Sequence, residues 1–272
     1  YVRGRRFLRQ RRPGSMASAI RSFEAAIRRD SSFALAYAGL ADAYILSAPF
    51  ESRPPREVFA RARGAATIAL TLDSTVAEAN TSLGMVKMFY ECNWGDAGRY
   101  LRRGVELNPS SAEGRLFYSW YWLFRGQNDS ARAEIERAFD LDPLSPVIAT
   151  RRGNILSKQK RDPDAIRYFR HALELDSTFY YARVGLAVAF IRTNQPDSAR
   201  RTVPRKIVRP GTAESAYAAW VLVQLGDTAG AREELRALED ARRFGYVSAD
   251  GLAAIHALLG NKTRAFEWLD RA

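Results

Sequence analysis

Acid–base, nucleophilic or metal chemistry in this 272-residue chain would have to start from very few side chains, one cysteine (Cys92) and two histidines (His171 and His256). A thiolate needs a neighbouring histidine or another cation to be reactive, and the sequence pairs Cys92 with no recognisable histidine. Neither histidine has a second His or Cys at the helical spacing that would align metal ligands on one face. One cysteine excludes an intramolecular disulfide and fits a reducing, cytoplasmic setting. With two histidines it also leaves little material for a structural zinc site. Serines and carboxylates are plentiful, but no nucleophile–base–orienter spacing emerges. The expectation is a protein that is not an enzyme and calls for no cofactor or metal.

Residues suited to recognition are better represented. Lysine and arginine number 42 against 30 acids, a net charge of +12. Residues 1–30 contribute +7, from nine arginines against Glu24 and Asp30. Residues 192–210 contribute +5, from Arg192, Arg200, Arg201, Arg205, Lys206 and Arg209 against Asp197, so two patches hold the whole surplus. Such patches can attract nucleic acid or another anionic partner. Only five of the 42 are lysine, however, and arginine stems also serve as packing surface. The run Phe117-Tyr118-Ser119-Trp120-Tyr121-Trp122-Leu123-Phe124 is apolar around a full helical turn and requires cover on both sides. No apolar stretch reaches the roughly 18–20 residues needed to span a bilayer.

The elements that must position these side chains repeat. Aligning Ala26-Ile27-Arg28-Arg29-Asp30-Ser31 with the helix-ending phrases that begin at Ala69, Gly104, Ala138 and Ala172 gives spacings of 43, 35, 34 and 34 residues. A period of about 34 residues signals a solenoid, in which each helical unit buries its apolar face on its neighbours.

The pattern within each period resembles the tetratricopeptide repeat over essentially the full chain. Tyr37, Leu40, Ala41 and Tyr44 with Ala62, Ala66 and Ala69 fit one unit. Gly153, Leu156, Ala165, Phe169 and Ala172 fit another, and Ala218, Ala219, Leu222, Ala231, Leu235 and Leu238 a third. The resemblance implies an all-α superhelical solenoid of about eight antiparallel helix pairs. The whole of 1–272 reads as one array, with units at about 1–33, 34–75, 76–110, 112–145, 146–179, 180–213, 212–245 and 246–272, the first and last truncated. Such ends expose apolar helix faces, which favours self-association of the piece. Gly126, Asn194 and Gly226 fall at the bends inside units, where positive φ is wanted. Leu46–Arg56, with three prolines, reads as an inserted loop that projects from the stack, and Lys206 departs from the usual alanine.

In that family the first helices line a concave groove. Carrying over its groove-facing positions points to Met85, Met88, Phe89, Trp120, Phe124, Asn154, Lys158, Tyr181, Arg192 and Trp220 as partner-binding residues. Aromatics and arginine are common interface anchors, and methionine suits adaptable recognition. A peptide or protein with apolar anchors is the expected partner, with nucleic acid on the Arg-rich first and sixth units as the alternative. A carboxylate clamp is not supported, since Thr150, Gly185 and Ala213 occupy its required places. In this register His171 falls on an outer face and His256 at a packing position.

A closer resemblance lies in Tyr37-Ala38-Gly39-Leu40-Ala41-Asp42-Ala43-Tyr44, Met88-Phe89-Tyr90 leading to Trp94, and Ala265-Phe266-Glu267-Trp268-Leu269. It is similar to bacterial arrays that follow a serine/threonine kinase, a nucleotide cyclase or a winged-helix transcriptional regulator. The resemblance implies the regulatory or sensory region of a larger signalling protein, and no effector motif is visible in the chain itself.

Overall fold

A computed structural model describes residues 1–11, 14–51, 53–203, 213–243 and 245–271. Among them are sixteen α-helices and no strand. They fall into two compact units, Tyr1–Leu141 and Asp142–Ala272. The first holds α1 (Val2–Gln10), α2 (Ser15–Arg29), α3 (Ala34–Glu51), α4 (Pro55–Leu72), α5 (Ala77–Phe89), α6 (Trp94–Leu107), α7 (Ala112–Phe124) and α8 (Asn128–Leu141). The second holds α9 (Pro146–Lys158), α10 (Asp162–Leu175), α11 (Tyr180–Arg192), α12 (Pro196–Thr202), α13 (Ala213–Gln224), α14 (Thr228–Ala241), α15 (Ala249–Leu258) and α16 (Lys262–Leu269). In both units each odd-numbered helix packs on the even-numbered helix that follows it. The odd-numbered helices also pack side by side, α1–α3–α5–α7 in the first unit and α9–α11–α13–α15 in the second.

Local chemistry sets these boundaries. Ser111, Ser145, Asp227 and Ser248 cap helix starts by accepting from the amide three residues on, which satisfies one of the four orphan N–H groups. The recurring Asp-Ser phrase is an Asx turn between hairpins. Asp30, Asp73 and Asp176 each accept from both the amide and the hydroxyl of the residue two places on, at 2.6–2.9 Å. Within most hairpins a bend residue is left-handed. Gly126, Gly226 and Gly260 have φ of 74°, 77° and 80°, and Asn194 has 56°.

Small residues set how closely the helices approach. Ala41, Ala62, Ala97, Ala131, Ala165 and Ala187 are fully buried. Phe23 of α2 sits between the backbones of Gly4 and Gly39, and Phe169 of α10 repeats the arrangement between Gly153 and Gly185.

One expectation is corrected. Most of Leu46–Arg56 is helix, with α3 running through Pro49 to Glu51 and α4 starting at Pro55. Burial of Leu46, Phe50, Val58 and Phe59 stabilises the longer hairpin. The added turn also places Glu51 Oε1 where it accepts from the Met16 and Ala17 amides at 2.9 and 3.1 Å, capping α2, which has no side-chain cap of its own. Lys206 lies outside the described residues.

Candidate functional site

The residues expected to meet a partner divide by depth. Met85 and Met88 are 1% and 2% exposed, so in this structure they belong to the core of the first unit. Phe89 and Phe124 are 40% and 52% exposed. Each is the last residue of its helix, where no following turn covers it. Their rings meet edge to face at 5.6 Å, a favourable geometry for aromatic pairs. Half-buried Trp120 meets Phe89 at 5.8 Å, and Trp94, the first residue of α6, meets Phe124 at 6.5 Å. Phe59 of α4 extends the set behind Phe89 at 6.5 Å. Four helices therefore bring their aromatic side chains to one place, with two rings open to solvent. Phe59 was not singled out from the sequence, and Trp94 entered only as part of the closer family resemblance.

In the second unit Asn154 is half-buried and Lys158 exposed. Tyr181 is half-buried beside Phe179 and Tyr180, with ring centroids at 5.6 and 6.2 Å. Trp220 packs against the cluster around Phe169 and Phe190. Arg192 is engaged from within. Its Nη1 donates to Ser157 Oγ at 2.8 Å and lies 3.8 Å from Asp162 Oδ1, while Ser157 Oγ donates to Asp162 at 2.5 Å. One guanidinium thus ties α11 to α9 and α10. Arg200 likewise donates to the Leu225 carbonyl at 2.9 Å. Arg205, Lys206 and Arg209 of the same basic patch lie outside the described residues.

A polar network in the first unit was not anticipated. Asp42 is buried in the middle of α3, accepts from Ser82 Oγ of α5 at 2.6 Å and pairs with Arg5 of α1 at 3.2 Å. Burial, reinforced by the charge of Glu113, pushes its carboxyl up to about 7 against the opposing pull of Arg5 and Ser82. Arg11 in turn pairs with Glu113 of α7. The sequence signal was a lone carboxylate in an otherwise apolar stretch of α3.

The candidate catalytic side chains are dispersed. Cys92 is exposed and occupies the bend between α5 and α6 at φ 52°. His171 Nε2 lies 3.0 Å from the Pro143 carbonyl. His256 is buried, its Nε2 3.5 Å from Glu239 Oε1. Among the described residues no group of three or more His, Cys, Asp or Glu could hold a metal ion, and no helix is long and apolar enough to cross a membrane.

Helical hairpins of about 34 residues, with small residues at the crossings and a left-handed bend inside most of them, are distinctive. Residues 120–178 match the tetratricopeptide repeat family. The fold is the tetratricopeptide-repeat fold. No curated protein matches the chain by sequence. Among solved structures, Pseudomonas aeruginosa PilF aligns with a TM-score of 0.60 at 16% identity, over 90% of this chain and 99% of that one. Human IFIT1, solved as a dimer with PPP-AAAA, aligns with 0.62 at 16% identity, over 94% of this chain and 67% of that one. The thermophilic tetratricopeptide protein TTC0263 of Thermus thermophilus gives 0.54 at 19% identity, over 65% and 92%. At these identities the likeness is one of fold.

Proposed function

We propose that this tetratricopeptide array is a non-catalytic interaction scaffold that holds a peptide or protein through apolar anchors. We further propose that it serves as the regulatory or sensory region of a larger bacterial signalling or transcription-regulating protein, in the cytoplasm. The observation that carries the first reading is the aromatic set on the first unit, where Phe89 and Phe124 remain exposed although each touches other rings. Leaving large rings in water forgoes burial free energy of about 25 cal/mol per Å2, which a partner's apolar side chain would recover. Rigid aromatics are also the side chains most often found at interface hot spots. Asn154, Lys158, Tyr181 and Trp220 supply a more polar set on the second unit. The regulatory context rests on the sequence resemblance to arrays that follow kinases, cyclases and winged-helix domains.

The test is a displayed-peptide selection on the full chain, followed by titration of the selected synthetic peptide. Replacing both Phe89 and Phe124 by alanine is expected to weaken binding by at least about tenfold, the loss of one hot-spot anchor. Affinity is expected to change little with added salt. Selected peptides indifferent to both substitutions would refute the aromatic anchor. A steep fall in affinity with salt would favour the alternative reading, an anionic partner on the Arg-rich units. The coding sequence upstream of the Tyr1 codon tests the regulatory context, since it should encode an effector domain.

A further inference from the structure

The first hairpin of the first unit carries a cleft of about 600 Å3, built from residues other than the aromatic set above. Its walls come from α1, α2 and the turn into α3. That volume lies within the roughly 300–1,000 Å3 typical of small-ligand sites. Three arginines, Arg3, Arg21 and Arg29, are among the residues that line it. Among the described residues no carboxylate lies within ion-pairing distance of any of the three, and Arg21 instead donates to the neutral Ser18 hydroxyl at 3.0 Å. The single acid in the wall, Asp30, is committed to the Asx turn, where its Oδ1 accepts from both the amide and the hydroxyl of Ser32. Three arginines against this one carboxylate leave the cleft with a net positive charge.

The remaining walls are aromatic. Tyr1 and Phe33 pack at 5.1 Å between ring centroids, and Arg3 lies over the ring of Phe7 at 5.6 Å. A phosphate alone would use the arginines and leave the rings wet. An apolar side chain would use the rings and strand the arginines. A planar base joined to phosphates uses both, since bases stack on aromatic and guanidinium faces and phosphate oxygens match the guanidinium fork. We propose that this cleft binds a nucleoside phosphate, its base against Tyr1, Phe7 and Phe33 and its phosphates on Arg3, Arg21 and Arg29. The site does not depend on the peptide-scaffold reading and can succeed or fail without it.

The experiment is calorimetric titration of the full chain with each of the four ribonucleoside triphosphates, with the matching nucleosides and with inorganic triphosphate. At least one nucleoside triphosphate is expected to saturate one site per chain. It should bind at least about tenfold more tightly than its nucleoside or triphosphate alone, the worth of one charge-assisted hydrogen bond. Arg21→Gln and Arg29→Gln, both at exposed positions, should each weaken it about tenfold while leaving the circular dichroism unchanged. Phe33→Leu should weaken the nucleoside triphosphate but not inorganic triphosphate. If that variant does not fold, the comparison of nucleoside triphosphate with triphosphate still tests the rings. The proposal is overturned if no nucleoside triphosphate saturates, if triphosphate alone binds as well, or if the Arg21→Gln/Arg29→Gln double variant binds unchanged. It is also overturned if an unphosphorylated-end oligonucleotide displaces the nucleotide at equal phosphate concentration, which would mark an extended nucleic-acid surface.

Discussion

Replacing glycine by alanine inside a helix usually stabilises it, and the first unit predicts opposite outcomes for two such replacements. A Cβ added to Gly64, on the solvent face of α4, meets nothing within 4 Å. Gly64→Ala should therefore stabilise by about 0.5–1 kcal/mol, the propensity difference alone. A Cβ added to Gly39 of α3 lies 2.5 Å from both Cε1 and Cζ of Phe23. That ring is fully buried, and it cannot retreat, because a Cβ on Gly4 would stand 2.7 Å from the same two atoms. Overpacking costs about 1–3 kcal/mol, and two contacts at 2.5 Å put this case at about 2–3, against a propensity gain of about 1. Gly39→Ala should thus destabilise by about 1–2 kcal/mol in net terms. Both sites lie in the same unit, so urea denaturation followed by circular dichroism reads them on one transition, as midpoint shifts of opposite sign at constant slope. Phe23→Leu removes the two clashing atoms. In that background the Gly39→Ala penalty should shrink by at least about 0.5 kcal/mol, a coupling a double-mutant cycle resolves. A Gly39→Ala protein as stable as the parent would refute the reasoning. So would a penalty that Phe23→Leu leaves intact.

Further outcomes follow from the polar contacts and bends. Asp42 binds its proton more tightly folded, at about 7, than unfolded, so its contribution to stability should fall as pH rises from about 4 to about 7 and level off above that. The change is at most about 4 kcal/mol, and Asp42→Asn should remove that part of the difference between urea midpoints at pH 5 and pH 8. Lys160 holds φ 59° at the bend between α9 and α10, so Lys160→Gly should raise stability by about 1 kcal/mol in the same denaturation assay. Ser157→Ala leaves buried Asp162 short of a hydrogen bond and removes the hydroxyl that Arg192 donates to, and should lower the second unit's stability by about 1–3 kcal/mol. Glu51→Ala should cost about 1 kcal/mol through the lost cap on α2, seen as earlier thermal loss of helicity.

What the sequence made legible is what repeats. The period marked the helical hairpins. The same alignment placed Gly126, Asn194 and Gly226 at bends that have positive φ, because a left-handed residue is a local demand that shows in residue type. The Asp-Ser phrase was visible as a phrase, and its cause, an Asx turn, lies within three residues. Depth is a different matter. Register gives the direction in which a side chain leaves its helix, but how far neighbours rise around it depends on the next repeats. Met85, Met88 and Phe89 were therefore grouped together, although only Phe89, at the helix end, escapes cover. Leu46–Arg56 misled for a related reason. Prolines usually end helices, yet Pro49 is accommodated in α3 because the added turn buries Phe50 and caps α2 through Glu51, and neither partner is nearby in sequence. The Asp42 network is the extreme case, with Arg5 and Ser82 standing 37 and 40 residues away. Each is an unremarkable polar residue in its own repeat, and only stacking, which juxtaposes residues about one period apart, makes them a cluster. In such a fold the scaffold is written once per period, whereas individual surface features arise from the differences between periods.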